Sequence, residues 1–244
     1  MESGLLTHCG SQRCSMQQLL TIPEPEKTNS YTPLNHYDLA FNTQKIATDL
    51  LTGFSFAGDN YALSTDGQKM FGVITYHKQD ENDLKVAIGI RNSYDRSMSA
   101  GLVVGSAVLV CDNLMFAGDV KVMRKHQGPT MHEDLQDQIV MAIYKSQHQF
   151  TKLSEDARHM RDIPLSRMEK YEYLGVLTGE GVLSPTQSTK AFKEVLEPAH
   201  EEFKSGSLWA AYNCATEALK SSPVQEIIKR HQQLHHLTRT LFLN

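Results

Sequence analysis

The sequence predicts an α+β fold: an N-terminal helix, a central and mostly antiparallel sheet, and a helical C-terminal half packed on that sheet. Three observations carry this. Apolar residues recur at helical spacing from His36 to Thr52, gather into short strand-like stretches between Tyr61 and Met123, and return to helical spacing from Met131 onward. Asp66-Gly67 sits between two of the short stretches, where its tolerance of positive φ suits a tight hairpin. Three Ser/Thr-x-x-Glu/Gln helix-start signals, at Thr130, Ser184 and Ser222, all fall in the second half.

Taken in order, residues 1–33 read as a polar lead-in, partly disordered, because Pro23, Pro25 and Pro33 interrupt any regular pattern. Residues 34–244 read as a single α+β domain, with the sheet core at about 54–127 and the helical part at about 130–244. Asn35 is placed to cap a helix from His36 to Thr52, with Leu39, Ile46, Ala47 and Leu50 on one face and Gly53 after its end. Strands are expected at Tyr61–Leu63, Met70–Tyr76, Lys85–Arg91, Gly101–Val110 and Val120–Met123, giving a sheet of four to six strands. A long helix follows from Met131 to Met160, with a stripe of Leu135, Ile139, Ile143, Phe150, Leu153, Ala157 and Met160, and Pro164 stops it. Further helices are expected at Arg167–Leu177, from Pro185 through Leu196, at Leu208–Lys220 and at Pro223–Leu243.

Composition narrows the function classes. The 244 residues carry a net charge of −4, unevenly spread: the first 84 hold 5 Lys/Arg against 10 Asp/Glu, and the rest hold 19 against 18. A dedicated duplex-DNA binder advertises a basic excess, so any nucleic-acid surface here is a local patch. The apolar run Leu102–Cys111 is too short and too broken by Gly105 and Ser106 to span a bilayer, so no membrane partner is expected. Met1–Leu20 lacks a basic start followed by an apolar run, which predicts no signal peptide and a cytoplasmic location in a bacterium or a host cell. Cys9, Cys14, Cys111 and Cys214 are then expected as unligated thiols. No phosphate-binding loop, dinucleotide fingerprint or nucleophile elbow occurs, and no cofactor is implied.

Four groups of residues are candidates for chemistry. The polar loop Arg91–Ser99 mixes two Arg with Asn, Ser, Tyr and Asp; it suits phosphate or base contacts, and equally a loop whose side chains bond its own backbone. Lys121, Arg124, Lys125 and His126 form a basic cluster before the long helix, and Lys85–Gln127 holds six Lys/Arg against three Asp. Cys111-Asp112-Asn113 offers a thiol, but a neighbouring carboxylate raises a thiol pKa, and a buried strand-end cysteine is the simpler reading. His231 and His235 stand at i and i+4 as helical metal ligands do, without the Glu of an H-E-x-x-H pattern.

Several blocks occur together in order: Thr32-Pro33-Leu34-Asn35-His36, Tyr61–Gly72, Asn92-Ser93-Tyr94-Asp95, Val110–Leu114, Arg124-Lys125-His126, and Leu208–Glu217 with Trp209, Tyr212, Asn213, Thr216 and Glu217. From about Thr32 to the C-terminus the chain resembles the phage/plasmid-like domain-of-unknown-function family 932, a lateral-transfer family of prophages, plasmids and phages. The resemblance implies a mobile-element protein working near replication, recombination or host conflict, and assigns no activity. The family pattern reads Asn-Ser-His-Asp-Gly-Ser where this chain has Tyr94 and Arg96, so a role for an imidazole there does not carry over. A sheet, a long helix and a basic edge are also the coarse plan of phage single-strand-annealing proteins.

The resulting expectation is a non-enzymatic, nucleic-acid-associated protein. It holds single-stranded DNA through Lys85, Arg91, Asn92, Arg96, Lys121, Arg124 and Lys125, with Tyr94 stacking on a base. The rival classes are an interaction protein that binds and blocks a host factor, motivated by the acidic first third, for which a host or phage protein is the partner, and a metal-dependent enzyme, resting on the histidines. A homo-oligomer is compatible with either. The Trp209 face is expected to pack against the sheet.

Overall fold

The computed structural model describes residues 11–78, 84–108, 114–115 and 121–243. The elements are β1 (Gln12–Cys14), α1 (Met16–Leu19), α2 (His36–Leu50), β2 (Phe54–Leu63), β3 (Lys69–Lys78), β4 (Leu84–Ser93), β5 (Ala100–Val108), β6 (Leu114–Met115), β7 (Lys121–Arg124), α3 (Met131–Asp162), α4 (Arg167–Gly179), α5 (Pro185–Leu196), α6 (Leu208–Leu219) and α7 (Val224–Thr238). A 3₁₀ turn, Glu201–Lys204, precedes α6, and a π turn, Arg239–Leu243, ends the chain. The α+β architecture is the one the periodicity predicts. Among the described residues the sheet has seven strands rather than four to six, ordered β1-β2-β3-β4-β5-β6 with β7 also on β5, every pair antiparallel.

Local chemistry explains the boundaries. Asn35 caps α2 by accepting from the Tyr37 N–H at 2.9 Å. The β2–β3 turn closes where Asp66 Oδ1 accepts from Ser64 Oγ at 2.5 Å and Gln68 N–H at 3.0 Å, with Gly67 at φ +69°. Ser184 and Gln187 form the expected reciprocal box around Pro185. The box expected at Thr130 does not form: Thr130 lies outside the extended backbone a cap needs, and its hydroxyl donates to Asp134 at 3.1 Å. Nor does Ser222 cap α7, because it accepts from Gln187 Nε2 at 2.8 Å while Pro223 holds the N-cap. A box the pattern reading missed, Ser166 with Glu169, opens α4. The proline-rich lead-in also contains regular structure: β1 adds to the edge of β2, and Ser15 and Gln18 box the single turn of α1.

The core lies between one sheet face and the helices. Tyr61, Met70, Ile74, Val86, Ile88, Leu102, Val104 and Val122 meet α2 and α3 there. The α3 stripe is buried as expected, from Met131 through Ile139 to Met160, over a helix about 48 Å long. The opposite sheet face carries a small cluster of its own, Ala62, Phe71 and Val73, covered by Met98. Among the described residues, no helix is long and apolar enough to cross a membrane.

The Trp209 face is buried, but not against the sheet. Helix α6 packs among α3, α4, α5 and α7, because nearly every side chain it carries is apolar or small. Asn213 donates to the Trp209 carbonyl at 2.9 Å and Thr216 to the Asn213 carbonyl at 2.9 Å, while Glu217 pairs with Lys190 of α5 at 3.3 Å. Trp209 is 4% exposed, and its native fluorescence is expected to be blue-shifted and to move red on unfolding. Native emission resembling indole in water would contradict this packing.

Candidate nucleic-acid interface

The loop between β4 and β5 is built from its own side chains. Ser93 Oγ donates to the Met98 carbonyl and accepts from the Met98 N–H, both at 3.0 Å. Asp95 accepts from the Ser97 N–H at 3.0 Å and hydroxyl at 2.6 Å, and pairs with Lys69 at 3.2 Å. These bonds fold the loop and leave one residue out. Arg96 has φ +64°, the only non-glycine with positive φ among the described residues, and its guanidinium lies 4.4 Å from the centre of the Tyr31 ring. That backbone conformation is one glycine adopts freely. An arginine held there costs about 1 kcal/mol or more of strain, which is characteristic of ligand clamps.

Two of the predicted contacts are withdrawn inward. Asn92 is fully buried; its Nδ2 donates to the Leu34 carbonyl at 2.6 Å and to His36 Nδ1 at 2.9 Å. Tyr94 is 3% exposed, its ring stacked on His36 at 3.8 Å, and its hydroxyl accepts from the His36 N–H at 3.0 Å. Tyr94 therefore has no open face for a base. Since Nδ1 of His36 accepts, Nε2 carries the proton and donates to the Gly67 carbonyl at 3.2 Å. Burial chiefly, against the help of the Gly67 bond, depresses the His36 pKa to about 4, so the ring is neutral at pH 7. This network ties the start of α2 to the β2–β3 turn and to the end of β4.

The cations also divide. Arg124 is committed to α3: its Nη2 donates to Asp134 at 2.7 Å, which removes it from the expected phosphate strip. Arg91 is half-buried and lies across Gly101, with Nη2 3.5 Å from the Met123 sulfur. A Cβ at Gly101 would stand 2.7 Å from that sulfur, so glycine is what lets Arg91 and Met123 meet. Burial lowers the Arg91 pKa from its ordinary value. The register sets Arg91, Gly101 and Met123 side by side on one sheet face, with Lys121 two residues along β7 on that same face. Lys121, Met123 and Lys125 are all exposed, alternating along β7 and just beyond it. Lys85 is at the far end of β4, about 20 Å from Arg91 at strand spacing.

Between the loop and the residues after β7 lies a cleft of about 360 Å³, bordered by Tyr31, Arg96, Ser97, Lys125, His126 and Gln127 among others. No carboxylate lines it among the described residues. His126, whose ring centre is 5.5 Å from that of Tyr31, is 5% exposed, and both its ring nitrogens are closed off from solvent. Burial first, and His132 after it, lower its pKa, against a bond between its ring and the Thr32 backbone that raises it. Tyr31 was invisible as a site residue because it sits in the proline-flanked lead-in. The Thr28–Tyr31 bridge, the bond from the Thr32 N–H to the His126 carbonyl and the bond from the Tyr31 hydroxyl to the Tyr94 carbonyl at 3.3 Å bring it to the cleft.

The other candidates do other things. His235 is buried and pairs through Nε2 with Asp156 at 3.2 Å, which Arg239 also contacts at 3.1 Å. Among the described residues, no three His, Cys, Asp or Glu side chains converge as metal ligands. Cys14 is half-buried and Cys214 buried, both free thiols, and burial raises both pKa values, to about 11 and about 12. Cys9 and Cys111-Asp112-Asn113 lie outside the described residues. Compared with protein-family models, curated proteins and solved structures, the chain matches none. The fold and the cleft thus define an α+β protein with a cationic edge strand beside a carboxylate-free cleft.

Proposed function

We propose that this chain is a nucleic-acid-associated protein of a mobile element that holds single-stranded DNA and catalyses no covalent step. One observation carries the reading: Lys121 on β7 and Lys125 just beyond it are both exposed, about 13 Å apart at strand spacing, and Lys125 borders a carboxylate-free cleft that Arg96 also lines. The strained backbone of Arg96 and the mobile-element resemblance support it. The strip is shorter than the sequence suggests, since Arg124 is paired and Asn92 and Tyr94 are buried.

Binding to an unstructured oligonucleotide is the test. With about three neutralised phosphates, raising salt from roughly 50 to 200 mM should weaken binding about twentyfold. Replacing Lys121 and Lys125 together with Ala should weaken it for every sequence and flatten the log–log salt slope by about 1.4. Arg124→Ala should leave that slope unchanged while lowering stability slightly, by about 1 kcal/mol or less, because it removes a part-exposed pair with Asp134. Absence of binding at low salt would overturn the reading. It would favour a protein partner instead, for which Met141 and Tyr144 on α3, 53% and 66% exposed and three residues apart, offer an apolar contact.

A further inference from the structure

A second cavity lies where the C-terminal part of α3 meets the end of α7. It measures about 260 Å³ and is bordered by Lys152 and Asp156 of α3, His235 and His236 of α7, and Arg239 of the π turn, among others. Lys152 stands about 27 Å along α3 from Asp134, the partner of Arg124, at a rise of about 1.5 Å per residue. Lys152 and Asp156, at i and i+4, share one face of that helix. Asp156 is the sole carboxylate in the lining among the described residues, and it is already engaged. Its Oδ2 accepts from His235 Nε2 at 3.2 Å and from Arg239 Nη1 at 3.1 Å. Those pairs explain why Asp156, His235 and Arg239 lie together. They do not explain Lys152 and His236, which are exposed on the same cavity with no second carboxylate to meet. The cationic heads of Lys152 and Arg239 on one small cavity repel each other, and an anion between them removes the repulsion. Arg239 keeps donors beyond the nitrogen spent on Asp156, since a guanidinium carries several N–H groups. A π turn presents it, a rare geometry that recurs at functional sites.

We infer that this cavity binds a phosphate group, with Lys152, His236 and Arg239 as its donors and Asp156 as the residue that positions Arg239. The site is separate from the cleft beside Arg96 and does not depend on the single-strand reading. Its donors come from two elements, α3 and the end of α7. A tetrahedral group turns oxygens toward both, whereas a carboxylate has two oxygens in one plane. Arginine meets phosphate through paired N–H bonds and lysine as a point charge. The cavity is smaller than the roughly 300 Å³ at which sites for whole small molecules begin, so it takes the phosphate and leaves the rest of a ligand outside.

The test is an NMR titration of the full chain with inorganic phosphate, at constant ionic strength set by chloride. Amide signals around Lys152, His236 and Arg239 should shift in a saturable way, and acetate at the same concentration should not reproduce the shifts. Lys152→Gln and Arg239→Gln should each weaken phosphate binding roughly tenfold, since each removes a charge-assisted hydrogen bond. Lys125→Gln, in the other cleft, should leave it unchanged. Lys152 is exposed, so Lys152→Gln should melt with the natural protein, and its loss of binding would not be a loss of fold. Oligonucleotide binding by the same variant identifies the source of the phosphate. An unchanged log–log salt slope, or no oligonucleotide binding by either protein, assigns free phosphate or a phosphomonoester. A slope flattened by about 0.7 assigns a phosphate of the bound strand. The site is overturned by the absence of a saturable shift at these residues, by an equal response to acetate, or by phosphate affinity that survives both Lys152→Gln and Arg239→Gln. None of those three results would touch oligonucleotide binding through Lys121 and Lys125.

Discussion

Replacing Ile139 with Asp is expected to cost on the order of 4–5 kcal/mol, a large share of the roughly 5–15 kcal/mol stability of an ordinary domain. Ile139 is 2% exposed in the middle of the α3 stripe, where that helix lies on β5 and β7. The change removes a large buried aliphatic group and puts a carboxyl in its place. Ionised, that carboxyl would be a buried charge with no cation provided; protonated, it would still lack hydrogen-bond partners. Tyr144→Asp, five residues further along the same helix, is the internal control. Tyr144 is 66% exposed, so its replacement should change stability by about 0.5 kcal/mol or less. Urea midpoints of the two variants measure the contrast directly. Equal midpoints would mean that α3 does not present Ile139 to the sheet.

The second large effect is acid destabilisation through His36. Its pKa falls from 6.5 to about 4 on folding, chiefly because burial penalises the imidazolium. Protonation would also set a new N–H at Nδ1 against the Nδ2–H of Asn92. Below pH 6.5 the unfolded chain takes up a proton that the native protein refuses. The stabilisation is therefore complete above pH 6.5 and is lost as pH falls toward 4. Between pH 7.5 and 4.5 this one group should remove about 2.5 kcal/mol. His126, whose pKa is also lowered, acts in the same direction. His36→Gln should be less stable than the natural protein at pH 7.5, yet lose about 2.5 kcal/mol less between the two pH values. Parallel pH profiles for the two proteins would show that His36 titrates normally in the fold.

Much of the architecture was legible because its signals are local. Asp66-Gly67 makes its turn with atoms from five consecutive residues, and Ser184-Pro185-Thr186-Gln187 closes its box within four. The α3 stripe follows from 3.6 residues per turn alone. The errors arose where a local group had a distant option. Thr130 turned to Asp134, Ser222 was taken by Gln187, thirty-five residues earlier, and α6 found helices rather than the sheet.

The sequence by itself determined that a cationic and polar segment lies between Lys85 and Gln127, and that a sheet carries it. Only the tertiary structure decided which of those polar groups face water. Asn92 and Tyr94 are separated from His36 by 56 and 58 residues, and their burial is tolerable only because folding brings His36 and Leu34 to meet their hydrogen-bonding atoms. Arg124 is neutralised by Asp134 on a helix that the strand pattern says nothing about. Arg96 and Lys125 remain exposed beside His126, which folding buries. Strand alternation names the face a residue points to; whether that face meets water, a carboxylate or a carbonyl depends on chain segments far away in sequence, and that is where the free energy of burying a polar group is decided.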